Sequence, residues 1–159
     1  MKHQYRDGVY KISEWSHITN AHTVPGPGII EGLKEVGAPL GRGLLLLAEM
    51  SPKGTLAKGD YSQATIQMAK DHQDFVMGFI SMRRLVEEPD FVYLSPGVNL
   101  STTGDALGQQ YNTPHKIIFE NGSDIVIVGR GIYEAENPQE AAQRYQEAGW
   151  KAYTDSLKK

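Results

Sequence analysis

The stretch SDIVIVGRGIY, residues 123–133, indicates the fold class most clearly. Its four consecutive β-branched residues at 125–128 have no polar residue between them, which is typical of a strand buried on both faces in a parallel sheet. The run stops at Gly129, Arg130 and Gly131, and the two glycines let backbone approach a ligand closely. Because an arginine there offers a planar fork of donors to an oxyanion, the pattern predicts a phosphate-binding turn.

Four more short apolar runs end in polar, glycine or proline residues. They are SHITNAH (16–22), LLLLAEMS (44–51), FVMGFIS (75–81) and FVYLSPG (91–97). Helical patterns lie between some of them: PGIIEGLKEVG stops at Gly37, and DYSQATIQMAKDH places Ala64 and Met68 on one apolar face. Strands alternating with helices predict βα units in a parallel sheet, and we expect residues 1–159 to form a single domain.

The last helix has the clearest start signal. Asn137 is the predicted N-cap, Pro138 occupies the first helical position, and Glu140 completes an Asn-x-x-Glu capping box. The predicted apolar stripe of this helix consists of Ala141, Tyr145, Ala148 and Ala152.

A long polar segment interrupts the βα pattern. Residues 99–114, NLSTTGDALGQQYNTP, are rich in Gly, Ser, Thr, Asn and Gln, and loops of this length are usually functional. The segment follows the fourth predicted strand, so it is expected at the same edge of the sheet as Arg130. Ligands of α/β proteins bind at the carboxyl ends of the strands. The residue pattern alone therefore predicts a phosphate-binding α/β protein with a mobile cover.

Composition narrows the class of protein. The chain has 159 residues, a net charge of −3 and no cysteine, which excludes disulfides and cysteine chemistry and argues against a broad nucleic-acid footprint. No apolar run approaches the length of a membrane span, and the first residues do not form a signal peptide. We therefore expect a cytoplasmic protein that binds neither membranes nor nucleic acid. His17 and His22 flank one strand on opposite faces, which argues against a shared metal ion. For His22, at the strand end, a hydrogen-bonded structural histidine is favoured over a residue that lines the site.

Read together, six motifs resemble the orotidine 5′-monophosphate decarboxylases, most closely the eukaryotic ones. They are NAHTVPGPGI, LLLLAEMSPKGTL, GFIS, LSPGVNL, GDALGQQYNTP and GSDIVIVGRGIY. The resemblance implies a (β/α)8 TIM barrel, of which this chain covers about units four to eight as an incomplete barrel. It also implies a homodimer that converts orotidine monophosphate to uridine monophosphate without a metal or organic cofactor.

The same resemblance implies a substrate-binding role for six residues. Arg130 and the backbone of Gly129 would bind the phosphate, and the Tyr111 hydroxyl would reach it. Gln109 would bridge the phosphate and pyrimidine ends. Ser51 would read the edge of the pyrimidine ring, and Pro96 would line the pyrimidine pocket. The alternatives for these positions are a surface arginine, polar loop residues and a serine that caps a strand.

The catalytic motif of that family, Asp-x-Lys-x-x-Asp, does not occur in this sequence. Neither DHQD (71–74) nor DSLK (155–158) matches it, so we assign no catalytic residue and expect no decarboxylation by this chain alone. Five units do not close a barrel, which predicts open strand edges that pair with a missing N-terminal barrel segment or a second copy. The alternatives are a non-catalytic module that binds uridine monophosphate and a purely structural half-barrel. An unrelated phosphosugar isomerase barrel is disfavoured by GDALGQQY.

Overall fold

The computed structural model describes residues 1–88, 90–101, 108 and 110–158. Contacts group the chain into two compact units, each of which is continuous in space but not in sequence. The first unit consists of Met1–Ala48 and Leu56–Ile80, and the second consists of Glu49–Thr55 and Ser81–Lys159. That residues 1–159 form a single domain stays a prediction.

The first unit contains three parallel strands, as the apolar runs predict. They are β1 (Ile18–His22), β2 (Gly43–Leu47) and β3 (Val76–Ile80). β2 lies in the middle and pairs with both neighbours, from Ile18 opposite Gly43 on one side to Leu47 opposite Ile80 on the other. Leu44 and Leu46 have no exposed surface, because helices cover the sheet that this central strand forms.

Four helices and a short 3-10 turn surround these strands. They are α1 (Lys2–Asp7), α2 (Ile12–Trp15), α3 (Gly28–Gly37), the 3-10 turn Ala38–Leu40 and α4 (Asp60–Asp71). The bounds of α3 and its buried face, which includes Ile30 and Leu33, confirm the helical spacing of its apolar residues. Gly37 ends this helix in close contact with Phe75, since a Cβ there would lie 3.0 Å from the Phe75 ring.

The buried face of α4 differs from the predicted one. Its buried residues are Ser62, Thr65, Ile66 and Ala69. The predicted apolar face around Ala64 is wrong, since that residue is exposed. Two hydroxyls are buried instead because each has an acceptor: Ser62 donates to the carbonyl of Ala48 at 2.7 Å, and Thr65 to that of Tyr61 at 2.9 Å.

His22 is held at the end of β1, which confirms the prediction of a hydrogen-bonded histidine. Its Nδ1 lies 3.1 Å from the hydroxyl oxygen of Tyr61. That hydroxyl donates to the carbonyl of Leu47 at 3.0 Å and accepts from the amide of Thr23 at 3.2 Å. Because its single proton goes to Leu47, His22 donates its Nδ1–H to Tyr61.

The second unit contains a shorter parallel pair of strands and two helices. The elements are β4 (Val92–Ser95), a π-helical turn (Lys116–Glu120), β5 (Ile125–Val126), α5 (Arg130–Tyr133) and α6 (Pro138–Ser156). β4 pairs with β5 in parallel, with Leu94 opposite Ile125. Residues 81–88 and 90–91, between β3 and β4 in sequence, contain no helix, so the predicted strand–helix alternation is wrong at this step.

β5 is shorter and more exposed than its sequence predicts. Ile125 is 49% exposed and Ile127 is 38% exposed, so burial on both faces is wrong for this strand. Val126 and Val128 point the other way and pack against a core cluster that contains Ile117 and Tyr145. The strand therefore alternates with period two, although every residue in it is apolar, because packing partners cover only one of its faces within the described part of this unit.

The start of α6 confirms the predicted cap. The Asn137 side chain accepts a hydrogen bond from the amide of Glu140 at 3.3 Å, and Pro138 is the first helical residue. Ala141, Tyr145 and Ala152 are buried, as the apolar stripe predicts. No helix among the described residues is both long and apolar enough to span a membrane.

Candidate functional site

Five of the six predicted site residues fall in the described part of the second unit. They are Ser51, Pro96, Tyr111, Gly129 and Arg130. Gln109, the sixth, lies outside the described residues. The five come from three places in the sequence that each follow a strand: the segment after β2, the loop after β4 and the turn after β5.

Arg130 and Tyr111 lie against each other, although 18 positions separate them in sequence. The Cζ atom of Arg130, the first residue of α5, lies 5.7 Å from the centre of the Tyr111 ring. A guanidinium at this distance over an aromatic face is attracted by the ring quadrupole. The hydrogen-bond donors of a guanidinium lie in its plane, so stacking on a ring is compatible with binding an anion edge-on.

The position of Tyr111 is fixed by its neighbour Asn112. The amide of Asn112 donates to the carbonyl of Gly97 at 2.8 Å, and its carbonyl accepts from the amide of Asn99 at 3.0 Å. Val98 and Asn112 form an isolated parallel bridge. The two ends of the polar segment after β4 are therefore joined by backbone hydrogen bonds, which place Tyr111 next to the carboxyl end of that strand.

Ser51 is buried, with 8% of its surface exposed, in the segment that follows β2. This segment is held by Glu49, whose carboxylate accepts from the amide of Met82 and from Nε of Arg83, both at 3.2 Å. A second tie joins the amide of Lys53 to the carbonyl of Gly108 at 2.8 Å. Ser51 therefore lies between two anchored points, one of which belongs to the polar segment.

Pro96 is half-buried directly after β4, where a group of buried serines supports the strand end. The Ser95 hydroxyl donates to the carbonyl of Ser81 at 2.6 Å, and its oxygen lies 2.8 Å from that of Ser123. The Ser123 hydroxyl donates to the carbonyl of Tyr93 at 2.9 Å. These buried hydroxyls hold the end of β4 and the start of β5 together, which gives Pro96 a rigid support.

Arg84 has a structural role that its sequence context does not indicate. Its guanidinium lies 4.9 Å from the centre of the buried Tyr93 ring and pairs with Asp124 at 3.2 Å, so this residue is more than a solvated surface charge. Asp124 also accepts from the amide of Tyr93 at 2.8 Å. Burial raises the pKa of the Tyr93 phenol above its ordinary value. The only signal in the sequence is the acidic residue directly before the strand.

Tyr145 was predicted only as a packing residue of α6, yet its hydroxyl reaches the candidate site. It accepts a hydrogen bond from the amide of Leu100 at 3.1 Å. No group of His, Cys, Asp or Glu among the described residues is arranged to hold a metal ion.

Comparison with known proteins places the chain in a family. Residues 1–145 match the orotidine 5′-phosphate decarboxylase/HUMPS family. Orotidine 5′-phosphate decarboxylase of Mucor circinelloides f. lusitanicus is 60% identical over 161 residues, which cover 99% of this chain and 61% of that protein. The decarboxylase of Schizosaccharomyces pombe is 59% identical over 159 residues, covering 99% of this chain and 60% of that protein. Uridine 5′-monophosphate synthase of Bos taurus is 53% identical over 157 residues, covering 99% of this chain and 33% of that protein.

Solved structures agree on the fold. The crystal structure of orotidine 5′-monophosphate decarboxylase from Sulfolobus solfataricus superimposes with a TM-score of 0.71 at 20% identity, covering 96% of this chain and 70% of that one. The chain spans about three fifths of the length of the fungal decarboxylases that it matches. The α/β fold follows that of these decarboxylases, and the chain belongs to the orotidine 5′-phosphate decarboxylase/HUMPS family.

Proposed function

We propose that this chain is the nucleotide-binding part of an orotidine 5′-monophosphate decarboxylase. In this proposal Arg130 and the backbone of Gly129 bind the 5′-phosphate, and the Tyr111 hydroxyl reaches the same group. Gln109 bridges the two ends of the nucleotide, and the remaining two residues, Ser51 and Pro96, line the pyrimidine. The observation that carries the proposal is the contact between Arg130 and Tyr111, which come from separate segments of one unit.

The chemistry of these groups suits a phosphate ester. A guanidinium binds a phosphate dianion through two parallel charge-assisted hydrogen bonds, which are stronger than neutral ones. The Tyr111 ring, whose centre lies 5.7 Å from Cζ of Arg130, attracts the cation, and its hydroxyl supplies one more donor. Binding energy from a phosphate that does not react can be used to lower the barrier at the pyrimidine ring.

The reaction proposed for the complete enzyme is the loss of carbon dioxide from orotidine monophosphate, with a proton replacing the carboxylate on the ring carbon. The resemblance assigns that proton to a lysine of the Asp-x-Lys-x-x-Asp motif. Since the motif does not occur in this sequence, we propose that the chain binds the nucleotide and that a further segment supplies the lysine.

The proposed partner is a segment that carries the missing βα units. Two features of the second unit support it. Among the described strands of this unit β5 pairs only with β4, and the side chains of Ile125 and Ile127 are exposed, with an open cavity of about 420 Å³ next to β5. The cavity walls include Val126, Val128 and Ile132. An exposed apolar strand edge is a template for pairing with another strand. A second copy of this chain is the other occupant to test, and the homo-oligomeric state and cytoplasmic location belong to the same proposal.

The test compares the chain alone with the chain mixed with a fragment that supplies the three N-terminal βα units of a fungal decarboxylase. Decarboxylation of orotidine monophosphate is measured for both, and uridine monophosphate binding is measured by calorimetry. We expect binding by the chain and turnover only in the mixture. Binding without turnover in the mixture would favour the non-catalytic module. If neither binding nor turnover is observed, the results favour a structural half-barrel. Turnover by the chain alone would contradict the proposed need for a further lysine.

A further inference from the structure

Tyr145 belongs to the apolar stripe of α6, but one part of it is polar. The residue is 6% exposed, and its ring packs in the core cluster with Val98 and Ile117. A phenol placed in such a cluster needs a partner for its hydroxyl, because an unpaired buried polar group costs free energy. The hydroxyl meets both segments of the proposed phosphate site, one through a hydrogen bond and the other through close packing.

The first partner is the segment after β4. The amide of Leu100 donates to the Tyr145 hydroxyl at 3.1 Å. Leu100 follows Asn99, whose own amide donates to the carbonyl of Asn112 at 3.0 Å. Asn112 in turn follows Tyr111, so two consecutive hydrogen bonds connect the Tyr145 hydroxyl to the strand-like segment that carries the Tyr111 ring.

The second segment, which packs against Tyr145, is the turn after β5. A Cβ added at Gly131 would lie 2.3 Å from the Tyr145 hydroxyl oxygen and 3.0 Å from the ring carbon that carries it. Real Cβ atoms do not approach other atoms so closely, so position 131 accommodates no side chain while Tyr145 keeps its place. Gly131 follows Arg130, and the tyrosine therefore packs directly against the backbone of the phosphate-binding turn.

These contacts form a closed ring. One side runs from Tyr145 through Leu100 and Asn99 to the segment of Tyr111, and the other runs from Tyr145 through Gly131 to Arg130. The ring closes where the Arg130 guanidinium lies 5.7 Å from the Tyr111 ring centre. One side chain of helix α6 therefore contacts both segments.

We propose that Tyr145 is a positioning residue that sets the distance between Arg130 and Tyr111. Its hydroxyl holds the Tyr111 segment through Leu100, and its ring and hydroxyl oxygen hold the Arg130 turn through Gly131. This inference rests on the proposed phosphate site, in which Arg130 and Tyr111 bind the same anion. It also explains why this position in the apolar stripe of α6 is a tyrosine and not a phenylalanine.

The test is the substitution Tyr145→Phe, with Tyr153→Phe as the matched control. Tyr153 lies on the same helix and is 44% exposed, and its ring contacts Trp150. Amide hydrogen exchange is followed in peptides covering residues 97–101 and 129–133, and the affinities for uridine monophosphate and uridine are measured by calorimetry. Hydrogen exchange requires no nucleotide, so it tests whether Tyr145 holds the two segments even if the chain binds no nucleotide.

We expect Tyr145→Phe to accelerate exchange at 97–101 and at 129–133. Loss of one neutral hydrogen bond predicts a roughly two- to tenfold weaker affinity for uridine monophosphate. Uridine affinity is expected to stay unchanged, because it has no phosphate for Arg130 and Tyr111 to share. Tyr153→Phe is expected to change none of these quantities. Unchanged exchange in both peptides, or faster exchange with an unchanged preference for the monophosphate over uridine, would overturn the inference.

If the wild-type chain binds no nucleotide, the proposed function is contradicted. Amide hydrogen exchange would still show whether Tyr145 holds the two segments. Gly131→Ala provides a second, independent variant. The added methyl group must displace the Tyr145 hydroxyl, so we expect faster exchange at 97–101 from a substitution on the opposite side of the ring. In the Tyr145→Phe background the same glycine change is expected to add little at 97–101. Fully additive effects there would show that the two sites are independent, contrary to the inference.

Discussion

The guanidinium carbon of Arg130 lies 5.7 Å from the centre of the Tyr111 ring, and this contact joins the turn after β5 to the segment after β4. The contact is between a cation and a π face, so it restrains the arginine without using the in-plane N–H groups for the tyrosine. Two segments that are separated in the sequence thus meet at the proposed phosphate site.

Replacing Arg130 with alanine is expected to weaken uridine monophosphate binding by about 1.5–3 kcal/mol, since hydrogen bonds to charged groups contribute that much. Uridine, which lacks the phosphate, is expected to bind equally well to both proteins. Calorimetric titration of the two ligands measures the difference. Arg144→Ala, an exposed arginine on α6, is the charge-matched control. If the Arg130 and Arg144 variants prefer uridine monophosphate over uridine to the same extent, Arg130 does not bind the phosphate.

Two substitutions of Tyr111 distinguish the contribution of its hydroxyl to nucleotide affinity from that of its ring. Tyr111→Phe keeps the ring beside Arg130 but removes the donor to phosphate, and we expect it to cost about 1 kcal/mol of nucleotide affinity. Tyr111→Leu also removes the π face, which is expected to cost a further ~0.5–1 kcal/mol. Affinities for uridine monophosphate give the two steps. If the phenylalanine variant binds as tightly as the wild type, the hydroxyl does not reach the phosphate.

Glu49 is expected to hold the segment of Ser51 in place. Glu49→Ala leaves the amide of Met82 without its carboxylate acceptor and should lower the free energy of unfolding by about 1–2 kcal/mol. Glu49→Gln keeps an acceptor oxygen and should lose less than half of that. Urea denaturation of both variants measures the effect. An alanine variant no less stable than the glutamine variant would show that this hydrogen bond contributes nothing.

The buried phenol of Tyr93 is expected to make the folded state less stable at high pH. Burial raises the pKa of its phenol above the ordinary value of 10.0, so the folded state favours the neutral form. Its contribution is therefore fully present below pH 10 and is lost as the pH rises through the raised pKa of the folded state. We expect the urea midpoint of the wild type to fall more steeply as the pH rises above 10 than that of Tyr93→Phe. Parallel curves for the two proteins would contradict a burial-raised pKa.

Much of the fold is predictable from local sequence. The apolar runs place β1 to β5, the helical spacing gives the face of α3, and Asn137 with Pro138 marks the first turn of α6. These features depend on residues close to one another in the chain, such as an asparagine that caps an amide three positions later. Local patterns of this kind need no knowledge of which element packs where.

The errors at β5 and α4 share one physical cause. An apolar run does not say how many of its faces will meet other elements, and the run at β5 exposes Ile125 and Ile127. A serine or threonine does not say whether a carbonyl will be near enough to let it be buried, as happens for Ser62 and Thr65 on α4. In both cases burial is decided by a neighbour that is distant in sequence.

By itself the sequence determined the class of elements, the family motifs and the identity of the candidate site residues, because strand and helix patterns and the Gly-Arg-Gly turn are local properties of the chain. Only the tertiary structure decided that Arg130 lies against Tyr111, that Arg84 is bound between Tyr93 and Asp124, and that a helix tyrosine reaches Leu100. Such contacts join residues tens of positions apart, and their geometry depends on how whole elements pack rather than on any spacing along the chain.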